Sequence, residues 1–290
     1  MAAESSGSID PDTSTESDAS LTQSPSLPVD LREALHAEYR RVFHLPFDSL
    51  VTVAVNAALM SSLWFFLPPK LRDAMFTLHG TLAFAFVLSS WMYSDVPATN
   101  VLGPDALRVL AAIDRPDVLR LMLVAKNIVL WTLVAPICLV VAVVDAATAH
   151  DPVVGLYSAV GIAVIPYGVL AVSCWLGILF PYHPIPVRMR LRAWRSWKTM
   201  LLRWGILVLT PYGLVPALTG VLLIPSALIW GFASSSGLSA KVPDQYIGLG
   251  IGVACALAVA TAILGHRLAL RLVVRRRDKL VTYLSDPLLG

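Results

Sequence analysis

The chain has 290 residues, 57% of them hydrophobic and 14% charged, with a mean hydropathy of +0.71 and a formal net charge of +3. A soluble domain carries about 25% charged residues, so this composition excludes a water-soluble globular fold. The basic residues flank apolar runs, which accounts for them without nucleic acid, and those runs lack the period-two alternation of barrel strands.

Residues 1–29 are rich in Ser, Thr, Asp and Glu and contain no Lys or Arg. Such a segment cannot bury enough apolar surface to offset its ordering entropy, which predicts a disordered acidic tail. It has no basic stretch ahead of an apolar core, and the first long apolar run starts near Ser49, so it does not read as a secretory signal.

Residues 30–47 predict an amphipathic connecting helix. Asp30 suits an N-cap and Glu33 follows three residues on, close to a capping box. Leu31, Leu35, Tyr39, Val42 and Phe43 share one face, with Arg32, Glu33, Arg40 and Arg41 mostly off it. This helix is expected in the membrane interface; the alternative is packing on the protein's own surface.

Residues 48–275 predict an all-α polytopic membrane domain. Six crossings are expected at about 49–67, 74–94, 122–144 and 154–180, then from near 201, and at 246–265. Each can cross about 30 Å of hydrocarbon as a helix. The run from Leu201 to Phe232 is too long for one straight crossing and holds Pro211, Pro216 and Pro225. It predicts a crossing followed by a re-entrant or surface helix.

Six crossings put both termini on one side. With that side cytosolic, nineteen of the twenty-two basic residues lie inside and only Lys70, Arg72 and Lys241 outside. The inside segments include residues 99–127, a basic loop at 181–200 and a C-terminal tail at 276–290. The expected location is the cell membrane, multi-pass.

Within 99–127, Gly103 and Pro104 open a short helix with Asp105 in its first turn, where a negative charge suits the helix dipole. Leu107, Leu110 and Ile113 form its expected apolar face. Asp114, Arg115 and Pro116 break the helix, and Pro116 with Asp117 starts the next, which runs into span three.

No catalytic set stands out. Asn56 and His79 are isolated, His150, Asp151 and His183 are loop residues, and no phosphate-cradling GxxxxGK[ST] occurs. No metal-ligand spacing appears either. Cys138, Cys174 and Cys255 lie inside apolar spans and read as small core residues. Gly248, Gly252 and Ala256 make a small-xxx-small ridge, expected to serve close helix packing. No acidic residue falls at mid-span, which counts against proton or sodium coupling. The segments "IPYGVL" at 165–170 and "TPYGLVP" at 210–216 resemble each other weakly.

The stretch "TNVLGPDALRVLAAIDRPDVLRLMLVAKNIVLW" resembles a segment of the permease subunits of bacterial type-2 ABC exporters. That segment reads roughly N-x-x-G-x-D, a leucine-rich helix, then "K-N" at span three. Asn100, Gly103, Asp105, Lys126 and Asn127 carry the match. "WLGILFPYHPIPVRMR" at 175–190 is similar to the family's passage from span four into a P-x-P loop, although the family's Asn or Ser near Ile178 and Leu179 is missing. The resemblance, over about 31–275, implies a dimer of permease subunits, homo- or heterodimeric. It also implies a coupling segment that docks on separate ATPase subunits, with ATP and Mg bound there and none in this chain. Asn100, Gly103, Asp105, Arg108, Asp114, Arg115, Pro116, Lys126 and Asn127 are the expected coupling residues.

The expected function is therefore a permease subunit of an ATP-driven exporter, without ATPase or other enzyme activity of its own. Its cargo is expected to be a lipid, glycolipid or amphipathic drug, with membrane lipids around it. The alternatives are a membrane scaffold or assembly factor for a cytosolic partner, and an intramembrane enzyme with an unrecognised site.

The topology has a direct test. In a background without native cysteines, a thiol probe should reach Ser235→Cys from outside intact cells and Arg195→Cys only after permeabilisation. The opposite pattern would reverse the orientation.

Overall fold

The computed structural model describes residues 26–44, 47–66, 68, 88–94, 96–149, 152–181, 183, 197–235 and 243–286. Every regular element among them is helical: α1 (Leu31–Val42), α2 (Asp48–Phe66), α3 (Val96–Thr99), a 3-10 turn at Gly103–Asp105, α4 (Ala106–Ala112), α5 (Pro116–Ala149), α6 (Pro152–Leu179), α7 (Trp197–Ser235), α8 (Asp244–Arg275) and α9 (Arg277–Ser285). Residues 88–92 are helical as well.

Four helices among the described residues, α5 to α8, are long and apolar enough to cross a membrane. The 19 residues of α2 contain a shorter apolar stretch at Ser49–Leu59. The expected second crossing, 74–94, lies outside the described residues except for 88–94, and so do the acidic tail up to residue 25 and most of the basic loop at 181–200.

The expected division of the Leu201–Phe232 run into a crossing and a second helix does not occur. Residues Trp197–Ser235 form one helix of 39 residues that carries Pro211, Pro216 and Pro225 within it. At 1.5 Å per residue it is roughly 58 Å long, well beyond the hydrocarbon thickness. Each proline removes one backbone hydrogen bond, whereas ending the helix inside lipid would strand several, so continuing is the cheaper course. Pro136 in α5 and Pro166 in α6 are tolerated in the same way.

The axis of the bundle is α6, whose apolar stretch is 61% covered by protein, against at most 39% for the other three long helices. Its principal neighbour is α8. A Cβ on Gly168 of α6 would lie 2.5 Å from the Ala258 carbonyl oxygen, and one on Gly265 of α8 would lie 3.0 Å from the Ala171 carbonyl oxygen. The two backbones therefore touch, as lipid-embedded helices do when small residues line their contact. The buried stripe of α8 runs through Gly250, Ala254, Ala258, Ala262, Gly265 and Ala269.

The ridge expected at Gly248, Gly252 and Ala256 is thus displaced. Gly248 does pack, against the Tyr157 hydroxyl, but Gly252 meets nothing within 4 Å and Ala256 is exposed. The two stripes differ by about two residues, some 200° around a helix, and α6 selects the longer run of alanines.

Side chains bonded to backbone carbonyls join the other helices: Trp131 Nε1 to Ala163 O (2.8 Å), Trp175 Nε1 to Gly265 O (3.0 Å), Ser226 Oγ to Gly250 O (2.7 Å) and Trp230 Nε1 to Tyr246 O (3.0 Å). Each uses a carbonyl's second lone pair, so the helical ladder is kept. The free cysteines Cys138 and Cys174 are buried among these helices.

Gly168→Val should lower stability by about 3 kcal/mol, because backbone must move to admit it. Gly252→Val should stay within about 0.5 kcal/mol. Thermal unfolding of the two variants in detergent measures the contrast; equal losses would contradict the packing.

Candidate functional site

The end of the bundle that carries α1, α4 and α9 has a hydrophobic core of its own. Val109, Ala112 and Ile113 of the elbow pack with Leu119, Met122 and Leu123 of α5, Cys174 and Ile178 of α6, Ala269 and Val273 of α8, and Leu280 and Leu284 of α9. Segment 99–127 is a built element, seated on four helices.

Its local structure follows from the sequence as expected at both ends. Pro104 sits in the first turn of the 3-10 segment, and Pro116 opens α5 with Asp117 in its first turn. Between them the expected face holds in part: Ile113 is buried and Leu110 packs on the core, joined by Val109 and Ala112, while Leu107 is 75% exposed. The cause is Asp105. Its carboxylate turns inward towards Lys126, which fixes the rotation of the turn and carries Leu107, two positions on, to the outside.

Lys126 is the centre of the site. Its ammonium is buried, donates to Val101 O at 2.6 Å and lies 3.9 Å from Asp105 Oδ2. Arg108 Nη1 is 3.7 Å from the same oxygen. Glu38 of α1 is also buried and is gripped by Arg41 through two hydrogen bonds. Burial alone would raise the Glu38 pKa, but the Lys126 charge, with Arg41 and Arg108, outweighs it and holds the carboxyl below its ordinary 4.5.

Helix α1 is accordingly docked on the protein. Asp30 caps it by accepting from Glu33 N (2.7 Å), and Ala34, Glu38 and Val42 face α5, where the Tyr39 hydroxyl meets Thr132 Oγ1 at 2.7 Å. Of the expected apolar face, Leu31, Leu35, Tyr39, Val42 and Phe43, Val42 is buried and Tyr39 meets α5, but Phe43 is exposed and a charged residue, Glu38, occupies the middle of the buried stripe.

At the next residue of α5, about 100° around the helix, Asn127 Nδ2 donates to His266 Nε2 (3.0 Å), and His266 Nδ1 donates to Ala262 O (2.8 Å). The two bonds together select the tautomer with the proton on Nδ1. At the rim, Arg277 clasps Asp114 with two hydrogen bonds, Nε to Oδ1 (2.6 Å) and Nη2 to Oδ2 (2.8 Å), and that clasp holds the Asp114 pKa below the ordinary carboxylate range. Arg276 Nη1 donates to Leu179 O at the end of α6, and His183 bonds Tyr283 O and stacks on its ring. Within the expected tail 276–290, Arg277–Ser285 therefore forms a docked helix.

The nine expected coupling residues divide by exposure. Asn100, Gly103, Lys126 and Asn127 are buried, Asp105 and Arg108 lie partly inward, and Asp114, Arg115 and Pro116 are exposed. Glu38, Arg41, His266 and Arg277 complete the site but were not singled out by sequence. The four-residue spacing of Ala34, Glu38 and Val42 was the available signal for Glu38.

Above Lys126, a cavity of about 830 Å³ opens between α1, the start of α2, residues 97–108 and α5. Among the described residues no three His, Cys, Asp or Glu side chains gather as a metal site would need. No protein family, characterised protein or solved structure matches this chain.

Because the Glu38 pKa is lowered on folding, its contribution is fully present above pH 4.5 and is lost as pH falls through the lowered value. The unfolding midpoint should drop on acidification below that point, and Glu38→Gln should flatten the drop. Lys126→Met should cost about 3–5 kcal/mol at neutral pH by stranding buried carboxylates. Thermal scans across pH read both effects; an unchanged midpoint in Lys126→Met would remove Lys126 from its central place.

Proposed function

We propose that this chain is the permease subunit of an ATP-driven exporter. In this reading it works as a dimer in the cell membrane, with its termini in the cytosol, and takes its drive from separate ATPase subunits docked at residues 99–127. The observation that best supports the reading is the division of that segment into an anchored inner half and an offered outer half. Asp105, Val109, Ala112 and Lys126 tie it to α1, α5 and α8, while Pro104, Leu107, Ala111 and Arg115 face out.

Leu107 and Ala111 are one turn apart and form a short apolar ridge with a cation at its end, on the outer face of an element whose inner face is buried. Such a ridge suits insertion into a cleft of a partner. The inner half gives it leverage, because a force on α4 is transmitted to α5, α8 and α9 through their shared core. In this reading Asp105 is a structural anchor, and the docking contacts are Leu107, Ala111 and Arg115.

Affinity-tagged protein purified from its native membrane should bring with it a subunit containing a phosphate-cradling loop, together with ATP hydrolysis. Leu107→Glu should weaken that association about 30-fold, equivalent to about 2 kcal/mol, while leaving insertion and the unfolding midpoint intact. Arg271→Gln, on the exposed side of α8, is the matched control. Full association and transport in Leu107→Glu would reduce the segment to an elbow.

A further inference from the structure

We infer that the cavity above Lys126 is a binding site for the phosphate headgroup of an anionic membrane phospholipid. This inference does not depend on the exporter reading, since it concerns the isolated chain.

The charge on the cavity wall comes first. Arg40, Arg41, Arg108 and Lys126 line it, against the carboxylates of Glu33 and Glu38. Glu38 is engaged by Arg41, and Glu33 Oε2 accepts from Val29 N. Asp105, just behind the wall, is shared between Lys126 and Arg108 at 3.9 and 3.7 Å, beyond hydrogen-bond length. Lys126 is therefore a buried ammonium with three N–H groups and one close acceptor, the Val101 carbonyl. Arg40 has no acidic group within ion-pair distance among the described residues. His36 adds another imidazole to the same wall. A buried cation short of acceptors is costly, and an anion in the cavity relieves it.

The shape then distinguishes between anions. The same lining includes the apolar side chains of Phe47, Leu130 and Leu133, the last two on the face of α5 that carries Lys126. Leu133 lies seven residues beyond Lys126 on α5, roughly 10 Å further along the helix. The cavity thus runs from buried charge to hydrocarbon-like surface over the distance that separates a headgroup from the start of its acyl chains. A free phosphate would occupy the charged end and leave the apolar end wet, whereas a phospholipid satisfies both. Its volume of about 830 Å³ is within the range of small-ligand sites. Phe43, between the lining residues Val42 and His44, is exposed, as an interfacial helix in contact with lipid would have it.

The test uses the full chain in non-ionic detergent, with bound species counted by native mass spectrometry. Phosphatidylglycerol should bind at least about tenfold more tightly than phosphatidylcholine, and inorganic phosphate at millimolar concentration should not displace it. Arg40→Gln should weaken phosphatidylglycerol binding about fivefold. Arg40→Lys should restore most of it, and Arg271→Gln should change nothing. Arg40 is exposed, so its loss should leave the fold intact, and an unchanged unfolding midpoint verifies this. Equal binding of the two lipids, or no effect of Arg40→Gln, overturns the site. Displacement by inorganic phosphate overturns the lipid assignment and makes the ligand a soluble phosphate. Because no ATPase subunit is present, none of these outcomes bears on the exporter reading.

Discussion

The contact between α6 and α8 governs the rest of the molecule. In hydrocarbon there is no water to expel from between two helices, so a pair associates only as well as its surfaces fit and its polar groups meet. Here the fit comes from the absence of side chains: Gly168 lies against Ala258, and Gly265 against Ala171. With those two backbones fixed, the indole of Trp175 reaches Gly265 O, and Arg276, just after α8, donates to Leu179 O, the last carbonyl of α6.

The same axis sets the elbow. Near its end, α6 presents Gly177 to the backbone of Thr99 and Val101, where a Cβ would collide with the Thr99 carbonyl. That close approach seats residues 99–102 on the bundle, and with them the Val101 carbonyl that accepts from Lys126. Close packing thus places the acceptor, the acceptor places the ammonium, and the ammonium draws in Asp105 and lowers the Glu38 pKa. Buried charges of this kind add little net stability beside an apolar alternative, but removing one member is costly. Their use here is to fix the rotation of α4 and the seat of α1.

That rotation has a functional consequence. A surface elbow needs no private core, and its apolar side chains ordinarily turn inward. This one has a core shared by four helices and still leaves Leu107 outside. On the exporter reading, Leu107 is the point at which an ATPase would push. On that reading the shared core would carry the push, and the clasp of Arg277 on Asp114 ties α9 to the elbow.

The membrane class, the helical character and the start points of α1 and α5 follow from sequence alone, because they depend on local causes: apolar runs, Asp30 as a cap, Pro104 and Pro116 in first turns. That residues 99–127 form a charged helical elbow was also legible, since charge between two apolar runs is visible in one dimension. Which way its side chains turn was not. Leu107 and Val109 are equally apolar, and Gly252 and Gly250 equally small, so nothing local ranks them. The choice was made by partners far away in the chain: Ala171 for Gly265, Lys126 for Asp105, Arg277 for Asp114. The continuity of α7 through three prolines was likewise a tertiary matter, because the cost of a missing hydrogen bond depends on the surroundings in which a break would occur. Composition and periodicity fix what each segment is, and packing in three dimensions decides which face it shows.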